Sequence, residues 1–497
     1  MYNEFKRKLR TKVNEINEDK RKRDISTADT LYMTIALESM ALTYTKVSYN
    51  LASKKEINFS PNTFCDRRMK LDESDFNEMI DVLFNFLKND LKIESNIFAV
   101  DGTKLSLSLE MNEFGFPMVR QRSNKKIQID TLKEIYKKLF GSIRNTAKDE
   151  IKKLLFNINI LKKHRLESPT DFDAEIINCN DKITQIKQNK KNTIVKLMIE
   201  RKNKIKNIKI KVNDNPTDYE ICTDKKKARY CKGLLTTIFD VVNKLPIKMN
   251  LTTNLNERLH IMSMIDNTIK PGSIIIFDRG YYSEELLKFL NDRGIIPIFR
   301  LCSSYTEPKY LELYDKLDDI FQINEIDFKV IKYIINENNY YVGTTDINLN
   351  TDKLQQMYWF RWTIEEFYKK VKHTMKGEFF NVKHVKTLRQ TISAMQFGSL
   401  YTSIITHIAV INKVDQRKKR QSTKILVKRE TKINFKDALN ISISEFLYDT
   451  LCSDQNTTFN DSRIIFLLNL IYNARYVNIT NRSNERHSIL FRGKWSF

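Results

Sequence analysis

The sequence predicts an α/β protein: a mixed five-stranded sheet with helices, an α-helical N-terminal domain, an inserted basic helical hairpin and a small β-rich insertion. Three observations predict it. Apolar or alternating runs in NIFAVDGTKLSLSLEM (from Asn96), GLLTTIFDVVNKLPIKMNLTT (from Gly233), GSIIIFD (from Gly272) and IIPIFRL (from Ile295) read as strands. A Lys-rich stretch at 125–230 carries Ile and Leu at helical intervals. The stretch Leu354 to Lys376, LQQMYWFRWTIEEFYKKVKHTMK, has no Pro or Gly before Gly377 and repeats its apolar residues at helical spacing.

Composition bounds the answer. A chain of 497 residues with 41% hydrophobic content can build a sizeable core, and its length suggests about two to four domains. Lys and Arg number 85 against 61 Asp and Glu, a net charge of +24 and a pI near 9.5. Such an excess along the whole chain implies a polyanionic partner, and double-stranded DNA is the first candidate. No window approaches about 18 uninterrupted apolar residues, and the start MYNEFKRKLR lacks the apolar core of a signal peptide. The expectation is a soluble intracellular protein with no membrane role, nucleoid-associated in a prokaryotic cytoplasm or nuclear in a eukaryotic or viral host. None of the six cysteines forms a C-x-x-C pair and no Cys/His cluster has zinc spacing, which argues against zinc or thiol chemistry.

Residues 1–95 read as a helical N-terminal DNA-binding domain. Ser60-Pro61 is an N-cap followed by a first helical residue, and the helix it opens, NTFCDRRMKL, presents Arg67, Arg68 and Lys70. Helix, turn and basic helix are compatible with a helix-turn-helix reader; a basic surface helix is the other reading. Residues 96–411 read as the catalytic α/β domain. Its first strand carries Asp101 mid-strand, with Gly102 allowing close approach to the backbone. The insertion at 125–230 reads as a hairpin of long helices with Lys187, Lys190, Lys191, Lys202, Lys204 and Lys206 on its basic face, either solvated or lying along DNA. Two strands follow, joined through Asn243 and Pro246, then a helix near Asn256–Met264. A strongly apolar strand ends at Asp278, and a helix starts at Ser283. Residues 300–350 read as the β-rich insertion. After the helix at 354–376 a second long helix, VKTLRQTISAMQFGSLYTSIITHIAVI, is apolar enough for a core. Residues 412–497 form a basic C-terminal region, with RKKR at Arg417–Arg420, an apolar helix and a tail containing Arg482, Arg486 and Arg492.

On a wheel of about 100° per residue, Met357, Phe360, Ile364, Phe367 and Val371 of the 354–376 helix form an apolar stripe. Tyr358, Arg361, Glu365 and Lys372 fall within about 60° of one another on a neighbouring polar stripe. Arg361 and Glu365 alone are an ordinary i, i+4 ion pair. Context supplies two further carboxylates, Asp101 and Asp278. The order of strand, hairpin, strand and helix fits an RNase H-like sheet, with Asp101 and Asp278 on adjacent strands and the Glu365 helix packed across them. Three such carboxylates are the donor set for divalent ions that act on a phosphodiester, and Mg²⁺ suits hard oxygen ligands, with Mn²⁺ able to stand in.

The spacing Y-x-x-R-x-x-x-E-x-x-x-x-x-x-K at Tyr358, Arg361, Glu365 and Lys372, with VDGTKLSL around Asp101 and FDRGYYS around Asp278, resembles the signature of DDE transposases in the IS-four family of insertion sequences. Similarity covers roughly 30–115 and 230–411. The resemblance implies that Asp101, Asp278 and Glu365 are catalytic metal ligands. It implies that Tyr358, Arg361 and Lys372, with Arg279 as a further contact, hold phosphates of the transposon end. The implied activity is cut-and-paste transposition: strand cleavage at the terminal inverted repeats, attack of the freed 3′-hydroxyl on target DNA, and a homodimer in the synaptic complex. Several members stack a flipped base on an aromatic residue of the β insertion, for which Tyr340 and Tyr341 are candidates. Two other readings are a domesticated or inactive transposase that only binds DNA, and an RNase H-like nuclease without strand transfer. The intact acidic and Y-R-E-K sets argue against the first.

Overall fold

The computed structural model describes residues 1–18, 25–122, 124–164, 169–211, 218–226, 228–265, 268–302, 318–335, 338–380, 382–419, 431–453 and 459–477. The tail arginines Arg482, Arg486 and Arg492, and Arg420 of the RKKR run, lie outside the described residues. Two compact units emerge, one formed by residues 1–117 with 231–497 and the other by 118–230.

The larger unit opens with five helices, α1 (Tyr2–Glu18), α2 (Thr27–Ser39), α3 (Tyr44–Lys55), α4 (Pro61–Arg68) and α5 (Glu73–Asn89). The Ser60 hydroxyl caps α4 by accepting from the Thr63 amide at 3.2 Å, with Pro61 at the first helical position, as the Ser-Pro pair dictates. The first strand, β1 (Ile97–Leu107), follows.

The smaller unit holds the strands β2 (Met118–Arg122) and β3 (Asp218–Ile221), paired antiparallel, and between them the long helices α6 (Asn124–His164) and α7 (Pro169–Lys211). Arg201 lies over the Phe140 ring and Lys204 over Tyr136, so the two helices run in opposite directions. Their aliphatic residues are only partly used: Ile158 and Ile183 are buried, whereas Phe156, Ile177 and Ile199 stay exposed.

The larger unit then resumes with β4 (Tyr230–Asp240), β5 (Leu245–Thr252), α8 (Glu257–Ile265), β6 (Ile274–Phe277), α9 (Glu284–Asn291), β7 (Ile296–Leu301), β8 (Asp318–Ile323), β9 (Ile326–Ile335) and β10 (Asn338–Thr344). Its sheet runs β5-β4-β1-β6-β7-β10-β9-β8. β1 pairs antiparallel with β4 and parallel with β6, and β6 pairs parallel with β7. That part is the mixed sheet expected from the sequence. The expected β-rich insertion is not a separate layer, because β10 pairs antiparallel with β7 and carries β9 and β8 on as an extension of the same sheet. Pro246 sits inside β5 rather than in the turn before it. Among the described strands β5 pairs with β4, and a register shift opposite Ile238 and Phe239 accommodates a residue with no amide proton.

One face of the sheet buries Phe98, Val100, Ile238, Ile275, Phe277 and Phe299 against Ile261, Met264 and Ile265 of α8 and Leu286, Leu287 and Leu290 of α9. Each such side chain contributes about 1.5–3 kcal/mol of burial. Beyond β10 come α10 (Thr351–Trp359), α11 (Trp362–Lys369), a π-helical turn at Lys370–Thr374, the short β11 (Phe379–Phe380) beside β1, and α12 (Val385–Lys419). The segment Val385–Lys413 is long and apolar enough to cross a membrane, but 72% of its apolar window is buried inside the protein. It is the spine of this unit. Gln396 on α12 accepts from the Met249 amide and donates to Ile247 O, while Gln390 donates to Arg68 O and Leu71 O. Because α12 continues to Lys419, it passes straight through position 411, where composition suggests a domain border. The chain closes with β12 (Thr431–Ile433), α13 (Phe435–Ile441), α14 (Tyr448–Leu451), α15 (Asp461–Asn473) and β13 (Arg475–Val477). The fully buried Asp449 carboxylate accepts from Tyr2 and Lys6, each at 2.8 Å, which ties α1 to the C-terminal helices.

Candidate active site

Alternation along β1 puts Phe98 and Val100 into the α8–α9 core and turns Ala99, Asp101 and Thr103 to the other face, where Asp101 lies opposite Thr237 of β4. Asp278 is the first residue after β6, released from the sheet as soon as Phe277 has been buried. Glu365 arrives from α11. That helix is fixed on the same face by Phe367, stacked on Phe239 at 5.1 Å, and by Tyr368, whose hydroxyl donates to the carbonyl of Asp101 at 2.7 Å.

The 354–376 segment is not one uniform α-helix. At Phe360 and Arg361 the amides bond three residues back, to Met357 O and Tyr358 O, and the end opens into the π turn. Tightening between α10 and α11 and widening at the far end rotate the buried face away from the ideal wheel. Leu354, Tyr358, Arg361, Ile364, Phe367, Tyr368 and Val371 point inward, whereas Phe360, expected on the apolar stripe, is 45% exposed between the exposed Trp359 and Trp362. The start of the polar stripe is therefore the buried side.

Arg361 is the hub. Its Nη2 donates to Glu365 Oε1 at 2.6 Å, and its Nη1 stands 3.8 Å from Asp278 Oδ2. Tyr358 donates its phenol proton to Asp278 Oδ1 at 3.2 Å. Arg300 of β7, a residue sequence reasoning did not single out, approaches the same oxygen at 3.8 Å. Burial opposes the guanidinium charge, but Tyr358, Asp278 and Glu365 outweigh it and hold Arg361 more firmly protonated than usual. Burial pushes the Asp101 carboxyl up to about 7, with Glu257 and Asp278 adding to it and the Gly102 amide and Arg361 pulling the other way.

Asp101, Asp278, Glu365, Tyr358 and Arg361 are thus brought together from three distant segments. Lys372 lies within electrostatic reach of the buried Lys232, whose ammonium is destabilised by burial and further by Lys104 and Lys372. Arg279 stands exposed on the turn after Asp278. The two N-terminal candidates do not join the site. Arg68 is 2% exposed, bonded to Tyr44, Gln390 and Thr391 and paired with Glu38 at 2.7 Å, so it is a structural cation with no face for DNA. Arg67 is half-buried, with its Nη2 enclosed. Of the three basic residues expected on that helix, Lys70 alone is exposed, and it follows the end of α4. Tyr341 belongs to the core at 4% exposure, and Tyr340 is stacked on Tyr333 at 5.5 Å beneath Arg300, so neither offers a free ring.

The donor chemistry suits a hard divalent cation: carboxylate oxygens only, one of them destabilised as an anion chiefly by burial and further by its acidic neighbours. Around them the buried Thr237 Oγ1, Tyr281 hydroxyl and Arg361 Nε make no full hydrogen bond, so protein contacts alone leave the site unsatisfied. The cage is not ready-made. Among the described residues no three His, Cys, Asp or Glu side chains stand close enough to hold a metal ion, and Arg361 serves as the counter-cation. Sequence reasoning did not single out Glu257, the first residue of α8, whose side chain rests against Gly102.

Residues 207–394, less than half of the chain, match the family model described as the transposase DDE domain. The matched stretch contains Asp278, Tyr358, Arg361, Glu365 and Lys372, and it begins after Asp101. No curated protein matches the sequence.

Proposed function

We propose that the protein is a DNA transposase of the cut-and-paste kind: it cleaves DNA at the terminal inverted repeats of a mobile element and joins the freed 3′-hydroxyl to target DNA. One observation carries the reading. The buried guanidinium of Arg361 faces both Glu365 and Asp278, with Asp101 within electrostatic reach, in the part of the chain that matches a transposase domain.

In this reading Asp101, Asp278 and Glu365 hold Mg²⁺, or Mn²⁺ in its place. The bound ion supplies polarisation of the phosphodiester and a lowered pKa for the attacking hydroxyl. Tyr358 fixes the rotamer of Asp278 through its 3.2 Å hydrogen bond. Arg361 offers a fixed cation to the anionic phosphate that enters beside the carboxylates. Lys372, with Lys232 within electrostatic reach, holds the DNA backbone next to the site, and the exposed Arg279 grips a neighbouring phosphate. Two copies of the chain pair the two ends in the synaptic complex. The protein, with Mg²⁺ and a DNA fragment carrying its own terminal repeats, nicks at the repeat boundary, and Asp278→Asn abolishes nicking while sparing DNA binding. A variant that still cuts removes Asp278 from the chemistry and the reading with it.

A further inference from the structure

The helix α6 buries one face and leaves another open. Tyr136, Phe140, Ala147 and Ile158 are buried, with Lys204 and Arg201 of α7 over the two rings. Roughly 130° round the helix, at about 100° per residue, a second stripe runs from Ile135 to Ile160. Its steps alternate between four and three residues without a break, and every residue on it is exposed. Its ends are Ile135 with Leu139 and Phe156 with Ile160. These are four of the five large apolar side chains that α6 leaves exposed among the described residues. Such a seven-residue repeat is the spacing at which one helix wraps along another. α7 does not fill that place, because it covers the first face.

The stripe also matches itself in reverse. About a point between Ala147 and Lys148, Ile135 falls opposite Ile160 and Leu139 opposite Phe156. Between them Ser142 falls opposite Lys153 and Thr146 opposite Asp149. Two antiparallel copies therefore bring apolar to apolar at both ends and set a hydroxyl against each charge in the middle. The charges are one acid and one base at i, i+4, so the seam is neutral in a chain of net charge +24. Beside it, Lys138 and Lys152 run against Asn159 and Asn145 of the second copy rather than against another cation. The Thr146 hydroxyl is already satisfied by Ser142 O at 3.1 Å, so it carries no open donor to the axis. A neutral seam with apolar ends offers little to a DNA backbone, whereas a self-complementary one fits an isologous contact.

We propose that this outer face of α6 is a homodimer surface: a second copy of the chain packs along it, antiparallel, about a two-fold axis between Ala147 and Lys148. The contact spans about 39 Å of helix and needs no DNA. It goes beyond the transposase reading, which calls for two copies only when two ends are paired, and it does not depend on the carboxylates of the site.

Analytical ultracentrifugation of the full chain without DNA, over a series of concentrations, shows a reversible monomer–dimer equilibrium. Leu139→Lys and Phe156→Glu, both at exposed positions, each weaken it at least about tenfold. Combined in one chain, the two substitutions set opposite charges across the seam and recover part of the loss. Cross-linking fixes the register. Leu139→Cys with Phe156→Cys in one chain gives a disulfide-linked dimer under a mild oxidant. Either substitution alone gives no more cross-linked dimer than the parent chain with its six native cysteines, because the same residue on the two copies stands about 26 Å apart along the axis. Thermal unfolding of each variant is the check on folding. A chain that stays monomeric at every concentration overturns the proposal, as does a dimer that neither charge substitution weakens. Either result leaves the transposase reading, which nicking at the repeat boundary tests, untouched.

Discussion

Arg361 donates to Glu365 one helical turn further on, at 2.6 Å, while turning its other amino group toward Asp278 at the end of a strand. In a peptide helix such an i, i+4 pair is worth a few tenths of a kcal/mol. Here the guanidinium side chain is 8% exposed and the carboxylates are 30% and 38% exposed. Arg361→Ala therefore leaves two acids that water can still reach, and its cost to stability stays at about 1–2 kcal/mol. Its cost to cleavage is larger, about a hundredfold or more, because no other cation stands between Asp278 and Glu365 among the described residues. Denaturant unfolding and a nicking assay on the same preparation separate the two quantities. Parallel losses in both would make Arg361 a structural residue.

Tyr358→Phe removes one hydroxyl from Asp278 Oδ1 and nothing from the packing of the ring. The phenol is held protonated chiefly by burial, so it acts as a donor throughout the working pH range. Asp278 then keeps its charge but loses one of the groups that fix its rotamer. The expected result is a stability change of about 1 kcal/mol with cleavage reduced about tenfold and DNA affinity nearly unchanged. Wild-type cleavage by this variant would show that Asp278 is oriented by other groups.

Arg68 tests the opposite assignment. Residue type and spacing make it a DNA contact in the sequence, whereas in the fold it is sealed between α2, α3 and α12 and paired with Glu38. Arg68→Met strands Glu38 and the Tyr44, Gln390 and Thr391 partners, which costs about 3–5 kcal/mol. Restoring neutrality with Glu38→Gln in the same chain recovers part of that cost. Urea unfolding of the single and double variants measures both. A variant of wild-type stability with weakened DNA binding would return Arg68 to the interface.

These residues show what is legible in a sequence. Asp278 is legible because four apolar residues end abruptly in an acid, and Glu365 because Tyr358 and Arg361 stand at helical intervals before it. Asp101 is legible through the glycine that follows it. What fails is whatever depends on a partner far along the chain. Arg68 and Arg67 look alike until Glu38 claims one of them. Phe360 looks inward-facing on an ideal wheel because nothing in the residue types announces three-residue hydrogen bonds at 360 and 361. Arg300 and Glu257 are ordinary surface-type residues in the sequence, and the parallel pairing of β6 with β7 and the packing of α8 over β1 bring them to Asp278 and Gly102.

The net charge of +24 sets an expectation independent of any single side chain. Binding to a fragment bearing the terminal repeats weakens steeply with salt, log Kd changing by about 0.9 per log unit of salt for each phosphate neutralised. A titration across ionic strength at constant pH gives the slope. A flat response would exclude the basic surface as the source of affinity.

His260 of α8 makes stability itself depend on pH. Its Nδ1 shares a 2.8 Å hydrogen bond with Thr236 Oγ1, its Nε2 is enclosed without a hydrogen-bond partner, and burial lowers its pKa to about 4. A folded-state value below the unfolded value of about 6.5 means that, between the two, the unfolded chain takes up a proton that the folded chain refuses. The stabilising contribution of neutral His260 is therefore complete above about pH 6.5 and is lost as pH falls toward 4, at up to about 1.4 kcal/mol per unit. Asp101 acts in the other direction over the same range, because its raised pKa lets the folded state take up a proton first. The wild-type curve alone therefore mixes two opposite slopes. The difference between wild type and His260→Asn isolates the histidine: the variant is the less stable protein at neutral pH, and the gap closes on acidification to about pH 4. Urea unfolding at a series of pH values measures that difference, and a gap that stays constant with pH would show that His260 already titrates normally in the folded protein.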